Sequence, residues 1–291
     1  MKFATPLRML VTMVGALALW AALAGLFDPT PGEPFAYTNH RGENVAINGH
    51  GLYFYDTVSS AAQMQGNDFV TLVVGLPLLA ASSILTFRGS LRGRLLLIGT
   101  LGFFLYTYLS MATLAAYNNL FLVYVAAFSA SLFAFVLSLM TIEVATLPAH
   151  FSAGFPRRLL LAVMAITGGF LLLAWLGRIG GPLLQGGTPA LENTTTLVIQ
   201  TLDLGVVVPL NLLAAVLLLR REAWGYLLAS VAVLKGLTLG LGVSAMGINM
   251  ALAGVPDSAV LVGIFLTVTV LNLIAAGLLL QSVKPSTTRS A

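Results

Sequence analysis

Two residues stand out for chemistry out of keeping with their surroundings. Asp203 and Lys235 each carry a charge inside a long apolar run. A charged side chain at mid-bilayer costs roughly 2.5 to 3.5 kcal/mol on insertion scales, so each is a functional candidate by default. They flank the short segment Arg220-Arg221-Glu222, which turns one apolar run back against the next, so their heights can be compared. Asp203 lies 17 residues from Arg220 and Lys235 14 from Arg221; at 1.5 Å per residue these are about 26 Å and about 21 Å. The difference is within a lysine's reach, and a salt bridge is expected if both groups face the interior. The pair reads two ways. It could lock two helices together, as polar contacts in membranes often do. Alternatively, burial could shift both groups so that a proton is exchanged as a ligand comes and goes. Gly205 and Pro209 beside the acid, and Gly236 and Gly240 after the lysine, fit an opened backbone and close helix approach.

The surroundings that make these charges unusual are set by composition. Of the 291 residues, 58% are hydrophobic and 8% charged, and the mean hydropathy is +0.95. Soluble domains carry about 25% charged residues, and a water-facing surface cannot be assembled from this chain. Eight apolar runs, at residues 7–27, 69–87, 95–114, 120–142, 159–179, 197–219, 223–248 and 258–281, are each long enough to span hydrocarbon. The expected fold is all-α, a polytopic transmembrane helix bundle forming one domain over 1–291. Contact with the lipid bilayer follows.

Arginine and lysine punctuate the runs with a regular beat. Lys2 and Arg8, then Arg88, Arg92 and Arg94, then Arg157 and Arg158, then Arg220 and Arg221, then Lys284 and Arg289 fall on one side of an eight-span arrangement, and Arg41 and Arg178 on the other. The positive-inside rule makes the first side cytoplasmic, placing both termini inside a plasma membrane. The first run also has the basic start and the Ala22-Leu23-Ala24 of a cleavable signal, but its uninterrupted length favours a retained helix.

Residues 28–68 form the one long extramembrane loop, net acidic and facing outward. Phe35 and Tyr37 against Val45 and Ile47, around Asn39-His40-Arg41-Gly42, read as a β-hairpin. Asp56 is a candidate N-cap for a short helix ending at Gly66. The loop is expected to lie over the helix ends as a lid, and is also the natural dock for a protein partner.

The second and sixth runs echo one another. Pro77 and Pro209 each precede a terminal arginine by eleven residues, and an acid lies further out in both, Asp68 and Asp203. Eight spans would then divide into two parallel halves of four, and interrupted helices in matching positions of two halves point to a transporter's binding site. The competing reading is compositional, since Leu, Ala, Val and Pro abound in any membrane helix. Asp68 at the start of its run could serve only as an N-cap, and Asn118 likewise at the start of the fourth. Tyr106, Tyr108, Tyr117 and Tyr124 read first as an aromatic belt, and as a vestibule lining if turned inward. Glu143 is placed to form a solvated pair with Arg157 or Arg158.

Several chemistries lack their residues. There is no cysteine, and His40, His50 and His150 all lie outside the apolar runs. Thiolate catalysis, disulfides and an intramembrane bis-histidine haem are thereby excluded. No spacing of His40, His50 and Asp56 marks a metal site. HExxH, GxSxG and phosphate-binding loop signatures are missing too. No cofactor or nucleic-acid partner is expected, because the basic residues are scattered between spans rather than gathered on one face.

The stretch from Tyr55-Asp56 through Gly66-Asn67-Asp68 to Pro77, with Leu202-Asp203, Arg220-Arg221-Glu222-Ala223-Trp224-Gly225-Tyr226 and Lys235-Gly236, resembles uncharacterised bacterial multi-pass membrane proteins. The resemblance implies no activity and transfers no functional residue. The leading expectation is therefore a small-molecule or ion carrier, or ligand-binding membrane protein, rather than an enzyme. Its candidate site comprises Asp203, Lys235, Asp68, Pro209, Pro77 and Asn118. The alternative is a non-catalytic accessory or assembly protein that docks a partner through residues 28–68.

Overall fold

The structure, a computed structural model, describes residues 2–256 and 258–284; Arg289 lies outside them. It is an all-α bundle with eight helices long and apolar enough to cross a membrane among the described residues. They are α1 (Ala4–Phe27), α2 (Val58–Phe87), α3 (Leu91–Leu114), α4 (Phe121–Met140), α5 (Arg157–Leu184), α6 (Val198–Leu219), α7 (Ala223–Leu252) and α8 (Ser258–Ser282). The chain is thus a multi-pass membrane protein. Its one small sheet pairs β1 (Phe35–Thr38) antiparallel with β2 (Asn44–Ile47), with Phe35 opposite Ile47 and Thr38 opposite Asn44, as the alternation of residues 35–47 anticipates. That sheet marks one end of the bundle, the hairpin end, and the clustered arginines mark the other.

Helix α2 corrects the loop assignment. It begins at Val58 rather than Phe69, so the supposed short helix ending at Gly66 is the first part of the span itself. Thr57, not Asp56, caps it, its Oγ1 accepting the Ser60 N–H at 3.1 Å. Hydropathy misread this segment because Gln63, Asn67 and Asp68 look water-facing, yet Asn67 and Asp68 are buried against neighbouring helices. Gly66 breaks nothing. A Cβ placed there would lie 2.8 Å from the backbone of Ala245 and Met246, so glycine lets α2 and α7 meet backbone to backbone. Asn249 Nδ2 donates to Ala62 O at 2.8 Å across the same contact.

Two helices form the centre. In α3 and α7, 67% and 72% of the spanning window is buried inside the protein, against 28 to 39% in the other six; α3 and α7 are therefore the axis, and the rest are lipid-facing on one side. Several of their small buried hydroxyls are satisfied within the helix: Thr100 donates to Leu96 O, Ser230 to Tyr226 O and Ser244 to Gly240 O, at 2.7 to 2.8 Å. Such bonds let small polar residues sit in an interior where no water competes.

The echo between halves has a backbone basis. Each proline follows a single π turn, Thr71–Gly75 before Pro77 and Asp203–Val207 before Pro209. In both, the residue just before the proline closes the wider ring, Leu76 N–H onto Thr71 O and Val208 N–H onto Asp203 O. Proline lacks the N–H of a regular turn and crowds the preceding carbonyl, so an i→i+5 turn relieves the clash. The boundaries recur at a constant offset of 132 residues (71 and 203, 76 and 208, 91 and 223). On that register Asp203 corresponds to Thr71 and Asp68 to Gln200, so the two acids do not occupy equivalent positions.

At the arginine end, guanidinium groups bond to carbonyl and hydroxyl oxygens rather than to acids. Arg92 Nη2 donates to Val283 O at 2.6 Å, Arg94 Nη1 to Thr141 O at 3.0 Å and Arg157 Nη2 to Tyr226 Oη at 2.9 Å. The expected Glu143 pair does not form. Arg41 with Glu43, at 3.2 Å, is the one ion pair among the described residues.

If Gly66 sets the α2–α7 distance, Gly66→Leu should lower stability by about 1 to 3 kcal/mol through overpacking. Gly169→Leu, where a side chain meets nothing within 4 Å, should be close to neutral. Thermal unfolding in detergent micelles checks both, and equal effects would contradict the close contact.

Candidate functional site

Asp203 and Lys235 come together as the spacing predicts, but not as a salt bridge. Both are buried, with 4% and 7% of their surface exposed. The carboxylate is held by two neutral donors: Tyr106 Oη donates to Oδ1 and Trp175 Nε1 to Oδ2, each at 2.8 Å. Lys235 Nζ lies instead over the Tyr106 ring, 4.0 Å from its centroid. Tyr106 therefore stands between the charges, its hydroxyl on the acid and its ring face under the ammonium. Negative charge near the ring hydroxyl and a cation over the π face are both favourable, so the tyrosine carries the attraction the direct pair would have made. The expected bridge does not form: the ammonium rests on the ring face, and no ion pair links it to the acid among the described residues.

Each partner comes from a different helix. Tyr106 is on α3, Trp175 on α5, Asp203 on the π turn of α6 and Lys235 on α7. The π turn opening at Asp203 re-aims the following part of α6, the usual consequence of such an insertion and a frequent feature of functional sites.

The four residues lie on the wall of a cavity of about 350 Å³ that extends towards the hairpin end. Met64, Met111, Met246 and Met250, with Phe103, Leu171 and Phe265, supply apolar wall; Asn67, Thr107, Gln200 and Thr238 supply polar points. Near the mouth stand Ser59, Ser60, Gln63, Arg178 and the segment 190–194 between α5 and α6. This is the composition of small-molecule sites: concave, mostly apolar, with a few polar groups to orient a ligand.

The hairpin controls that mouth segment. Asn39 Nδ2 donates to Glu192 O at 2.7 Å, Arg41 to Glu192 O and, at 3.0 Å, to Thr194 O, Thr57 Oγ1 to Glu192 Oε2, and Asn193 Nδ2 to Tyr55 O at 3.1 Å. Glu192 sits at φ 52°, a left-handed conformation a glutamate adopts only when its surroundings hold it. Residues 28–57 thus fasten the segment that borders the cavity rather than covering the cavity themselves.

Asp56 anchors this assembly. Its Oδ1 accepts the Ala116 N–H at 3.0 Å, tying the loop to the α3–α4 connection, while Oδ2 is buried with no partner among the described residues. Burial pushes its carboxyl up to about 7.

The remaining candidate residues lie outside the cavity. Asp68 is no N-cap: it sits within α2, 3% exposed, accepting from Tyr53 Oη at 2.6 Å and pressed against Gly25 of α1. Its neighbour Asn67 is the residue that faces the cavity. Asn118 performs the local role, its Oδ1 accepting the Leu120 N–H at 3.0 Å before α4. Pro77 and Pro209 act on the backbone through their π turns. The tyrosines are not a belt: Tyr108 and Tyr124 are buried and stacked at 6.4 Å, Tyr106 is in the site, and Tyr117 alone is exposed. Trp175 and Glu192 carried no signal in the sequence beyond their residue types.

Removing one charge from the trio should hurt more than removing both. Asp203→Ala leaves an indole N–H, a phenol O–H and the ammonium uncompensated; by double-mutant cycle the Asp203→Ala/Lys235→Met protein should be about 1 to 2 kcal/mol more stable than the sum of the single losses predicts. A strictly additive result would dissolve the coupling. For Asp56 the sign follows from its raised pKa. An unfolded chain ionises it near 3.8, whereas the folded protein keeps its proton to about 7. The folded state binds more protons in between, so this group's contribution falls as pH rises from about 4 to about 7 and stays low above that. Stability measured across this range should slope downward, and Asp56→Asn should flatten it; an unchanged slope in that variant would refute the assignment.

No protein-family model matches the chain, and no curated protein or solved structure matches it. Its site is accordingly read from the geometry.

Proposed function

We propose that this protein is a ligand-binding membrane protein or carrier for a small molecule, with the cavity between α2, α3, α5, α6 and α7 as its site. One observation supports the reading above others: a cavity of about 350 Å³ has two buried charges, Asp203 and Lys235, on its wall. Charges inside a spanning bundle mark substrate or ion pathways more often than structural locks, and here they border space rather than a dry helix contact. The π turns before Pro77 and Pro209 put a local irregularity at matching positions of the two halves, and helix irregularities in corresponding positions accompany the binding sites of carriers built from repeats.

The reading includes an orientation. The arginine end faces the cytoplasm of a plasma membrane, both termini are inside, and the cavity mouth opens outward. The chain acts as a single membrane domain. A second reading, an accessory protein docking a partner, draws on Phe35, Tyr37 and Tyr55, which the hairpin region leaves 42 to 65% exposed.

Two experiments test these statements. The chain has no cysteine of its own, so single cysteines at Gly42 and at Ser90 report topology directly. Gly42→Cys should react with a membrane-impermeant maleimide in intact cells and Ser90→Cys only after lysis; the reverse pattern would overturn the orientation. For the site, a screen of water-soluble molecules should find compounds that raise the melting temperature of the wild-type protein but not of Ser110→Trp, which fills the cavity. Finding none, or finding stabilisation that Ser110→Trp retains, would count against the carrier reading. Loss of a co-purifying protein on removing residues 34–48, with ligand stabilisation unaffected, would favour the accessory role.

A further inference from the structure

The unusual feature of the cavity is its cation. Lys235 is 7% exposed, and its Nζ meets no hydrogen-bond acceptor among the described residues. An ammonium has three N–H donors, and a buried one without an acceptor is strongly disfavoured. The Tyr106 ring at 4.0 Å offsets part of that penalty but accepts no conventional hydrogen bond. Asp203 does not serve as the acceptor: its hydrogen bonds come from Tyr106 and Trp175, and no ion pair joins it to Lys235 among the described residues. The acid and the lysine therefore differ in kind: one holds two donors and the other still requires an acceptor.

We propose that the ligand of this cavity is a small amphipathic organic anion whose carboxylate, or a group of like charge and shape, takes the Lys235 ammonium. The inference rests on the carrier reading above and names its ligand class. The apolar body of such a molecule lies against Met64, Met111, Met246 and Met250, flexible and polarisable side chains that suit an apolar surface of variable outline. An inorganic anion would leave that methionine wall without a partner. A cation would meet the ammonium. Arg178 at the mouth bonds weakly to Ala190 O at 3.3 Å and brings a positive charge to the way in, beside the Glu192 carboxylate that accepts from Thr57.

A matched series of probes tests the idea on the full chain in lipid nanodiscs, read by isothermal titration and by Trp175 fluorescence in a Trp20→Phe/Trp224→Phe background, with protein-free nanodiscs as blank. Phenylpropionate should bind at least tenfold more tightly than phenylpropionamide or phenylpropylamine, which share its ring and chain. Lys235→Met should remove that preference, and Lys235→Arg should restore most of it. Equal binding of acid and amide would overturn the anion inference while the carrier reading stands. Chloride displacing phenylpropionate with comparable affinity would overturn the amphipathic part. Binding of none of the probes by the folded wild-type protein would count against the carrier reading itself. Because the wild-type protein alone yields the acid-to-amide comparison, the outcome does not hinge on any variant folding.

Discussion

Hydrocarbon offers no hydrogen bonds, and most of what is distinctive in this molecule follows from that single constraint. Any polar group carried into the membrane must find its partner within the protein. The small hydroxyls of α3 and α7 solve the problem locally by bonding to carbonyls one turn back. Asp203 cannot, and draws donors from two other helices. The resulting cluster fixes the mutual positions of α3, α5, α6 and α7 at one height, and it leaves Lys235 held by a ring face alone. That imbalance between a satisfied acid and an unsatisfied base is what turns a packing feature into a candidate binding site.

The π turns belong to the same constraint. A proline in a spanning helix frees a carbonyl that water would otherwise solvate, and the wider turn re-closes the ladder without leaving the helix. Both halves use this device at corresponding positions, but only the second puts an acid on the turn itself. The first half places Thr71 there and sets its acid three residues earlier, against α1 and Tyr53 rather than the cavity. Two similar scaffolds thereby carry different polar cargo, one facing a cavity and one closed off among tyrosines.

Outside the spans the same demand is met by a different means. The hairpin and Tyr55 fasten the connection between α5 and α6 through side-chain bonds to backbone carbonyls, while Asp56 ties the loop to the α3–α4 connection. Glu192 holds a backbone conformation that would relax if those bonds were broken. Residues remote from the cavity in sequence thus set the shape of its mouth, which links the long loop to the site without placing the loop inside it.

Eight spans, their approximate limits, the hairpin and the nearness of Asp203 to Lys235 were all legible in the chain, because hydropathy, strand alternation and helical rise act over short distances and need no knowledge of neighbours. The start of α2 was misread for a complementary reason: Asn67 and Asp68 are polar by type, and whether a polar residue faces water or another helix is a property of the neighbour. The same holds for Tyr106 and Trp175, ordinary interfacial aromatics by composition, which become the donors to Asp203 only when α3 and α5 are brought beside α6. Hydrogen bonding is directional and short-ranged, so a one-dimensional pattern can locate a charge that needs a partner, whereas only the packed bundle decides which group answers it and which, like Lys235, is left facing a cavity.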